Sequence, residues 1–416
     1  MKISEINPQV WAMAERAESR IRPVFDEIDR VAQLNTRKVM EAFQDQRVSE
    51  ACFAGTTGYG YDDLGRETLD RIYAQVFGAE AALVRTQFVN GTHALTCAMF
   101  ALSSPGETVL AVTGTPYDTL RCAIGISGDG FGSLRHYGVG YAEVPLTAEG
   151  KPDYPHIREA ASDPKVTGVM IQRSRGYADR PALGFDEIRR ICETVREVNP
   201  RANIMVDNCY GEFTGLREPC EAGADLIAGS LIKNPGGGIA PTGGYIAGRK
   251  DLVERAAMRL TTPGIGGECG STLGVSRLLF QGLFLAPHTV AQALKTAVFC
   301  AAMMDELGLE SSPAFDEKRS DIIQMVKLGS ADRMKKFCLG IQSGAPVDSY
   351  VTPEPWAMPG YDDEVIMAAG AFIQGSSIEL SADGPMREPY IAYMQGGLTY
   401  ESGRLGIMMA VSAMLN

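Results

Sequence analysis

Between residues 81 and 249, short apolar runs return at regular intervals, each followed by a loop and then by a helical pattern. The runs are AALVR (81–85), TVLAV (108–112), VTGVMIQ (166–172), NIMVDN (203–208), LIAGS (226–230) and GYIAG (244–248). They scarcely alternate apolar with polar residues, as strands buried on both faces of a parallel sheet should not. Segments such as FDEIRRICETVREV (185–198) supply helices to cover those faces. The pattern predicts an α/β fold, with a large doubly wound, mainly parallel sheet domain. In such sheets ligands sit at the carboxyl ends of the strands, so the residues that close each run are the first functional candidates.

The flanks read differently. Apolar residues at helical spacing from Ile21 to Phe43 predict an N-terminal amphipathic helix within an arm spanning 1–50. The large domain is expected over 51–300, opening on the Gly/Tyr-rich loop AGTTGYGYDDLGRE and the helix TLDRIYAQVFG. The apolar stretch at 278–304 is broken by Gln281, Pro287, His288, Gln292 and Lys295, and reads as a buried helix pair rather than a membrane span. A smaller C-terminal α+β domain is expected over 301–416, with RMKKFCLGIQ and AAGAFIQGSSIELSAD read as strands.

Charge and composition narrow the function. A net charge of −12 argues against nucleic acid as a partner. The first twenty residues lack the apolar core of a signal peptide. Nine scattered cysteines without a C-x-x-C pair suit a reduced cytoplasm, and four scattered histidines offer no metal site of known spacing.

One lysine stands out. Lys233 follows LIAGS inside GSLIKNPGGGIAPTGGYIAG, a stretch almost without other charge. A lysine held in such surroundings leans toward its neutral form, which can attack a carbonyl and form a Schiff base; taken alone, the better reading is a loop lysine reaching water. Asp207 closes NIMVDN, where a carboxylate needs a cation such as a pyridinium nitrogen, or else caps the next helix. Tyr210 lies three residues on, with packing under the sheet as its simpler reading. Gly91 and Thr92 open a helix whose backbone N–H groups suit a phosphate, with Ser230 adding a hydroxyl and His93 structural. Tyr117, after TVLAV, offers a ring to stack on a planar cofactor and a hydroxyl for proton transfer, or is a turn residue at the surface.

These motifs in this order resemble the fold type I pyridoxal-phosphate enzymes. More narrowly, TGYGYDDLGRETLDRIYAQVFGAEAALVR, NGTHAL, GTPYDTL, IQRSRGY, VDNCYGEF, GSLIKNPGGGIAPTGGYIAG and QGLFLAPHTV resemble the methionine gamma-lyase-like family, also called the aluminium-resistance protein family, near the cystathionine lyases. The resemblance implies pyridoxal 5'-phosphate bound covalently by Lys233, paired with Asp207, stacked by Tyr117, and held by Gly91, Thr92 and Ser230 at its phosphate. It implies a carbon–sulfur lyase acting by β- or γ-elimination on an amino acid of the methionine, cystathionine or cysteine type. Transamination, racemisation and a noncatalytic role in metal tolerance are the alternatives.

Where the cystathionine lyases use a Y-x-R segment from the neighbouring subunit, this chain reads Tyr59-Gly60-Tyr61. That departure implies that Arg66 or the loop TTPGIGGE supplies the missing contact. It also implies a homodimer or homotetramer with shared active sites. For the substrate carboxylate, Arg387 in SADGPMREPY and Arg173 after VTGVMIQ are the candidate arginines, because a guanidinium fork matches a carboxylate.

Overall fold

The computed structural model describes residues 2–358 and 363–416. Two compact units emerge, one of Thr36–Phe284 and one of Met1–Asn35 with Leu285–Asn416. The N-terminal helix therefore forms no arm of its own. It is one helix, α1 (Pro8–Asp45), longer at its start than the periodicity suggested.

The larger unit is built on seven strands: β1 (Ala81–Arg85), β2 (Thr108–Ala111), β3 (Gly140–Glu143), β4 (Val166–Gln172), β5 (Asn203–Asp207), β6 (Leu226–Ser230) and β7 (Gly244–Gly248). Their order is β1-β7-β6-β5-β4-β2-β3. β7 runs antiparallel to β1 and β6, and every other neighbouring pair is parallel. All six apolar runs lie in this sheet. The sequence reading missed β3, an edge strand whose residues Gly-Tyr-Ala-Glu are half-buried or exposed. After β3 the chain crosses to the other side of β2 to lay down β4. That reversal opens a crevice at the carboxyl ends of β2 and β4.

Seven helices follow in this unit: α2 (Leu64–Val76), α3 (Gly91–Leu102), α4 (Asp118–Ile124), α5 (Tyr154–Ala161), α6 (Phe185–Val198), α7 (Lys250–Leu260) and the start of α8 (Ser276–Glu306). On one face α3 contributes Ala94, Leu95, Ala98, Met99 and Leu102 to a core with Met170, Met205, Ala228 and Ile246 of the strands and Val253 and Ala256 of α7. Each large apolar side chain buried there contributes about 1.5–3 kcal/mol.

The apolar stretch at 278–304 is one helix rather than a pair. Pro287 inside α8 removes the hydrogen bond to the Leu283 carbonyl. The helix continues because Leu283 and Ala286 before it and Val290 and Ala293 after it are all fully buried. No helix among the described residues is long and apolar enough to cross a membrane.

The smaller unit carries an antiparallel sheet ordered β10-β11-β12-β9-β8, from β8 (Ser311–Ser312), β9 (Ile323–Lys327), β10 (Val365–Ala368), β11 (Ser381–Pro385) and β12 (Ile391–Gln395). RMKKFCLGIQ is not a strand but the body of α9 (Ala331–Gly344). Met334, Phe337, Cys338 and Ile341 recur at helical spacing and are all buried. Most of AAGAFIQGSSIELSAD is irregular, with only its ends in β10 and β11. α9 packs closely on α10 (Tyr400–Leu415): a Cβ at Gly340 would lie 2.2 Å from the Ala410 Cα, so glycine there lets the two backbones meet.

Candidate active site

Asp207 emerges at the carboxyl end of β5 and turns back on its own chain. Its Oδ1 accepts the Cys209 backbone N–H at 3.1 Å, so it closes a tight turn rather than capping a helix. β6 runs parallel beside β5 with Ala228 opposite Asp207, which brings Ser230 and then Lys233 out at the same end of the sheet. The Lys233 Nζ lies 3.9 Å from the centroid of the Tyr210 ring. Tyr210 has a φ of 71°, a costly conformation for an aromatic residue, and it places the ring beside the lysine. Tyr210 thus packs against the core of the sheet, as expected, and also sets its ring beside Lys233.

The electrostatics reverse one expectation. Burial pulls the Lys233 ammonium down, but Cys209, Tyr210 and Asp207 together push it up, and the upward effects win. Burial also drives the Cys209 thiol well above its ordinary value. The charged form of Lys233 is therefore favoured over the neutral amine that desolvation alone would give. For Asp207, burial raises the carboxyl and Lys233 is the main opposing influence. A carboxylate so placed is stabilised by a cation set against it.

Gly91 is the first residue of α3, whose cap Asn90 accepts the His93 N–H at 2.9 Å. A Cβ at Gly91 would lie 3.0 Å from the Ser230 Cβ and 3.7 Å from its Oγ. That Oγ is buried and makes no hydrogen bond to a described residue. A helix N-terminus, a residue without a side chain and an unspent hydroxyl form a cradle that fits a phosphate group. Thr92 adds a hydroxyl, 3.0 Å from that of Thr119.

Tyr117 precedes α4 and spans the crevice: its backbone N–H donates to Oε1 of Gln172, the last residue of β4, at 2.8 Å. Gly176 lies against the ring, where a Cβ would come within 3.3 Å of the Tyr117 Cδ2. Lys233, Asp207, Ser230, Gly91, Thr92 and Tyr117 thus all follow or end strands at one edge of one sheet.

Arg173 does not offer its guanidinium to a ligand. It is 3% exposed and bonds Asn208 Oδ1 at 2.7 Å, Thr214 Oγ1 at 3.3 Å and Glu218 Oε2 at 3.5 Å. A buried network continues from it that the sequence reading missed. Asn208 donates to the Tyr245 hydroxyl at 3.1 Å, and that hydroxyl donates to Glu212 Oε1 at 2.8 Å. Asn234, next to Lys233, donates to the Glu212 carbonyl at 2.9 Å. Burial pushes the Glu212 carboxyl up to about 8. The signal available in sequence was polar residues placed directly after Asp207 and Lys233.

Tyr59 and Tyr61 stack on each other with ring centroids 5.5 Å apart, 71% and 57% exposed. Arg66 does not fill the missing arginine's place. It is buried, with its guanidinium spent on the carbonyls of Gly60, Gly270 (3.0 Å) and Glu268 (3.1 Å). It ties the tyrosine loop to the loop at 268–270. Arg387 belongs to the smaller unit, follows β11, is exposed, and pairs with Asp363 at 2.8 Å.

This sheet order, with a lysine after β6 and an aspartate ending β5, defines the class: the fold type I architecture of pyridoxal-phosphate-dependent enzymes. Within that class, the family described as methionine gamma-lyase matches residues 10–415, and the chain belongs to it. A solved structure described as a carbon–sulfur lyase involved in aluminium resistance, from Clostridium novyi NT, is 53% identical. It superposes with a TM-score of 0.94, over 98% of this chain and 96% of that one. The uncharacterised protein YnbB of Bacillus subtilis (strain 168) is 49% identical over 403 residues, 97% of this chain and 96% of that protein. The L-methionine gamma-lyase of Pseudomonas putida is 28% identical over 210 residues, 50% of this chain and 48% of that enzyme.

Proposed function

We propose that this protein is a pyridoxal-phosphate-dependent carbon–sulfur lyase acting by β- or γ-elimination on a sulfur-containing amino acid. The observation that carries the reading is the convergence of Lys233, Asp207 and the Gly91–Ser230 cradle at one sheet edge. When bound, the cofactor supplies an electron sink that stabilises negative charge at the substrate Cα.

The residues divide the remaining work. Lys233 would hold the cofactor covalently, and its amine would serve as the base for the substrate Cα proton. Asp207 keeps a positive charge on the pyridine nitrogen, and that charge offsets the burial cost of its own carboxylate. The α3 N-terminus at Gly91 and Thr92, with the Ser230 hydroxyl, binds the phosphate. Tyr117 covers the ring and delivers a proton to the departing sulfur. Tyr59 and Tyr61, exposed and stacked, serve an adjoining copy of the chain, in a dimer or tetramer.

Incubating the holoenzyme with cysteine, cystathionine, methionine and homocysteine tests this reading. Release of a 2-oxo acid together with a thiol supports it. Spectral and chemical silence with all four amino acids would overturn it.

A further inference from the structure

One hydroxyl stands between the neighbours of the site's charged pair. Tyr245 on β7 lies opposite Gly229 of β6. A Cβ at Gly229 would come within 2.6 Å of the Tyr245 Cε1 and 2.7 Å of Glu212 Oε1. Glycine leaves that space open, so the ring lies across β6 and its hydroxyl reaches the residues that follow β5. There Asn208 donates to the hydroxyl at 3.1 Å, and the hydroxyl donates to Glu212 Oε1 at 2.8 Å. Asn208 directly follows Asp207 in the chain. The Glu212 carbonyl accepts from Asn234 at 2.9 Å, and Asn234 directly follows Lys233.

The pairing of β5 with β6 ends at Asp207 and Ala228, so it does not by itself set where Tyr210 and Lys233 emerge. The turn after Asp207 is also costly, because Tyr210 and Phe213 have φ of 71° and 62°. Glu212 stands between those two residues, and the Tyr245 hydroxyl braces it. The brace is itself fixed: the Tyr245 ring stacks on Phe77 with centroids 5.1 Å apart and leans on Tyr73 at 5.6 Å. Asn208, Glu212, Asn234 and Tyr245 are all fully buried, where hydrogen bonds act at low local dielectric.

We propose that Tyr245 is a positioning residue for the reaction, setting Asp207 against Lys233 through Asn208 on one side and through Glu212 and Asn234 on the other. It acts through these neighbours and not on a reacting atom. The proposal rests on the reading above, in which Lys233 holds the cofactor and Asp207 faces its ring nitrogen.

Spectral titration of the holoenzyme tests it. The visible absorbance of the bound cofactor is followed against pH in Tyr245→Phe, in Asn234→Ala and in the double variant. Ile246→Val, a fully buried change on the same strand outside these bonds, is the packing control. Tyr245→Phe should move the midpoint by at least about half a pH unit, because charges near the lysine and the ring set it. Asn234→Ala should move it in the same direction, and the double variant by less than the sum, since both cut one path. Ile246→Val should keep the wild-type midpoint while melting earlier. Midpoints in Tyr245→Phe and Asn234→Ala that match Ile246→Val, or shifts that add in full, would overturn the proposal. The titration needs bound cofactor and no turnover, so a wild type inert toward all four amino acids would refute the lyase reading and leave this test standing. A wild type whose cofactor is not on Lys233 would overturn both.

Discussion

Replacing Arg173 by methionine separates two roles that the sequence allows for it. In the structure the guanidinium is 3% exposed and faces Glu218, itself 1% exposed, at 3.5 Å. Removing it leaves the Glu218 carboxylate without its cation, among neutral donors such as the Phe213 N–H at 3.0 Å and the Asn208 amide at 3.5 Å. Breaking a buried pair from one side costs about 3–5 kcal/mol. In a unit of this size each kcal/mol moves the melting midpoint by about 2–4 °C, so the expected fall is about 6–20 °C. The partner variant Glu218→Gln should also melt early, and the double variant should recover part of the loss, because the two penalties describe one pair. Thermal melts and steady-state kinetics on the same preparations decide the matter. A midpoint within about 2 °C of wild type, accompanied by a KM raised at least about tenfold, would refute the structural role and restore Arg173 as a substrate-binding group.

Glu212 gives a pH signature. Its folded carboxyl, pushed up to about 8 from an ordinary 4.5, binds a proton the unfolded chain has released, so stability should fall as pH rises between those values. The slope should flatten above about 8 and shrink in Glu212→Gln, as read by denaturant titrations across that range. Tyr245→Phe removes the hydroxyl shared by Asn208 and Glu212 and should cost about 1–3 kcal/mol in the same titrations. Gly91→Ala places a Cβ 3.0 Å from the Ser230 Cβ, and should weaken cofactor binding by about tenfold or more while leaving the apoprotein's melt within about 2 °C of wild type. Fluorescence titration of the apoprotein with pyridoxal phosphate checks it.

The sheet was legible because its strands are buried on both faces and bounded by glycine, asparagine and loops, so apolar runs and strands nearly coincide. β3 escaped because an edge strand needs no such run, and Gly-Tyr-Ala-Glu carries no signal. α9 was misread although its helical spacing was present: the cluster around Phe337 and Cys338 looks like a strand when the period is not followed across the whole segment. Lys233 and Asp207 were visible because both follow apolar strands where solvated charges are rare. The direction of the Lys233 shift was not, since it depends on Cys209, Tyr210 and Asp207, brought to it only by the pairing of β5 with β6. Arg173 was hidden for a similar reason. Its partner Glu218 lies 45 residues further on, and nothing local marks the pair.

The central claim is that Lys233 carries the cofactor, and borohydride reduction of the purified holoenzyme followed by peptide mass mapping tests it most directly. The account predicts loss of the visible absorbance and a single phosphopyridoxyl adduct on Lys233, absent from Lys233→Ala. An adduct on another lysine, or an unmodified Lys233 in a protein that still turns over, would contradict it.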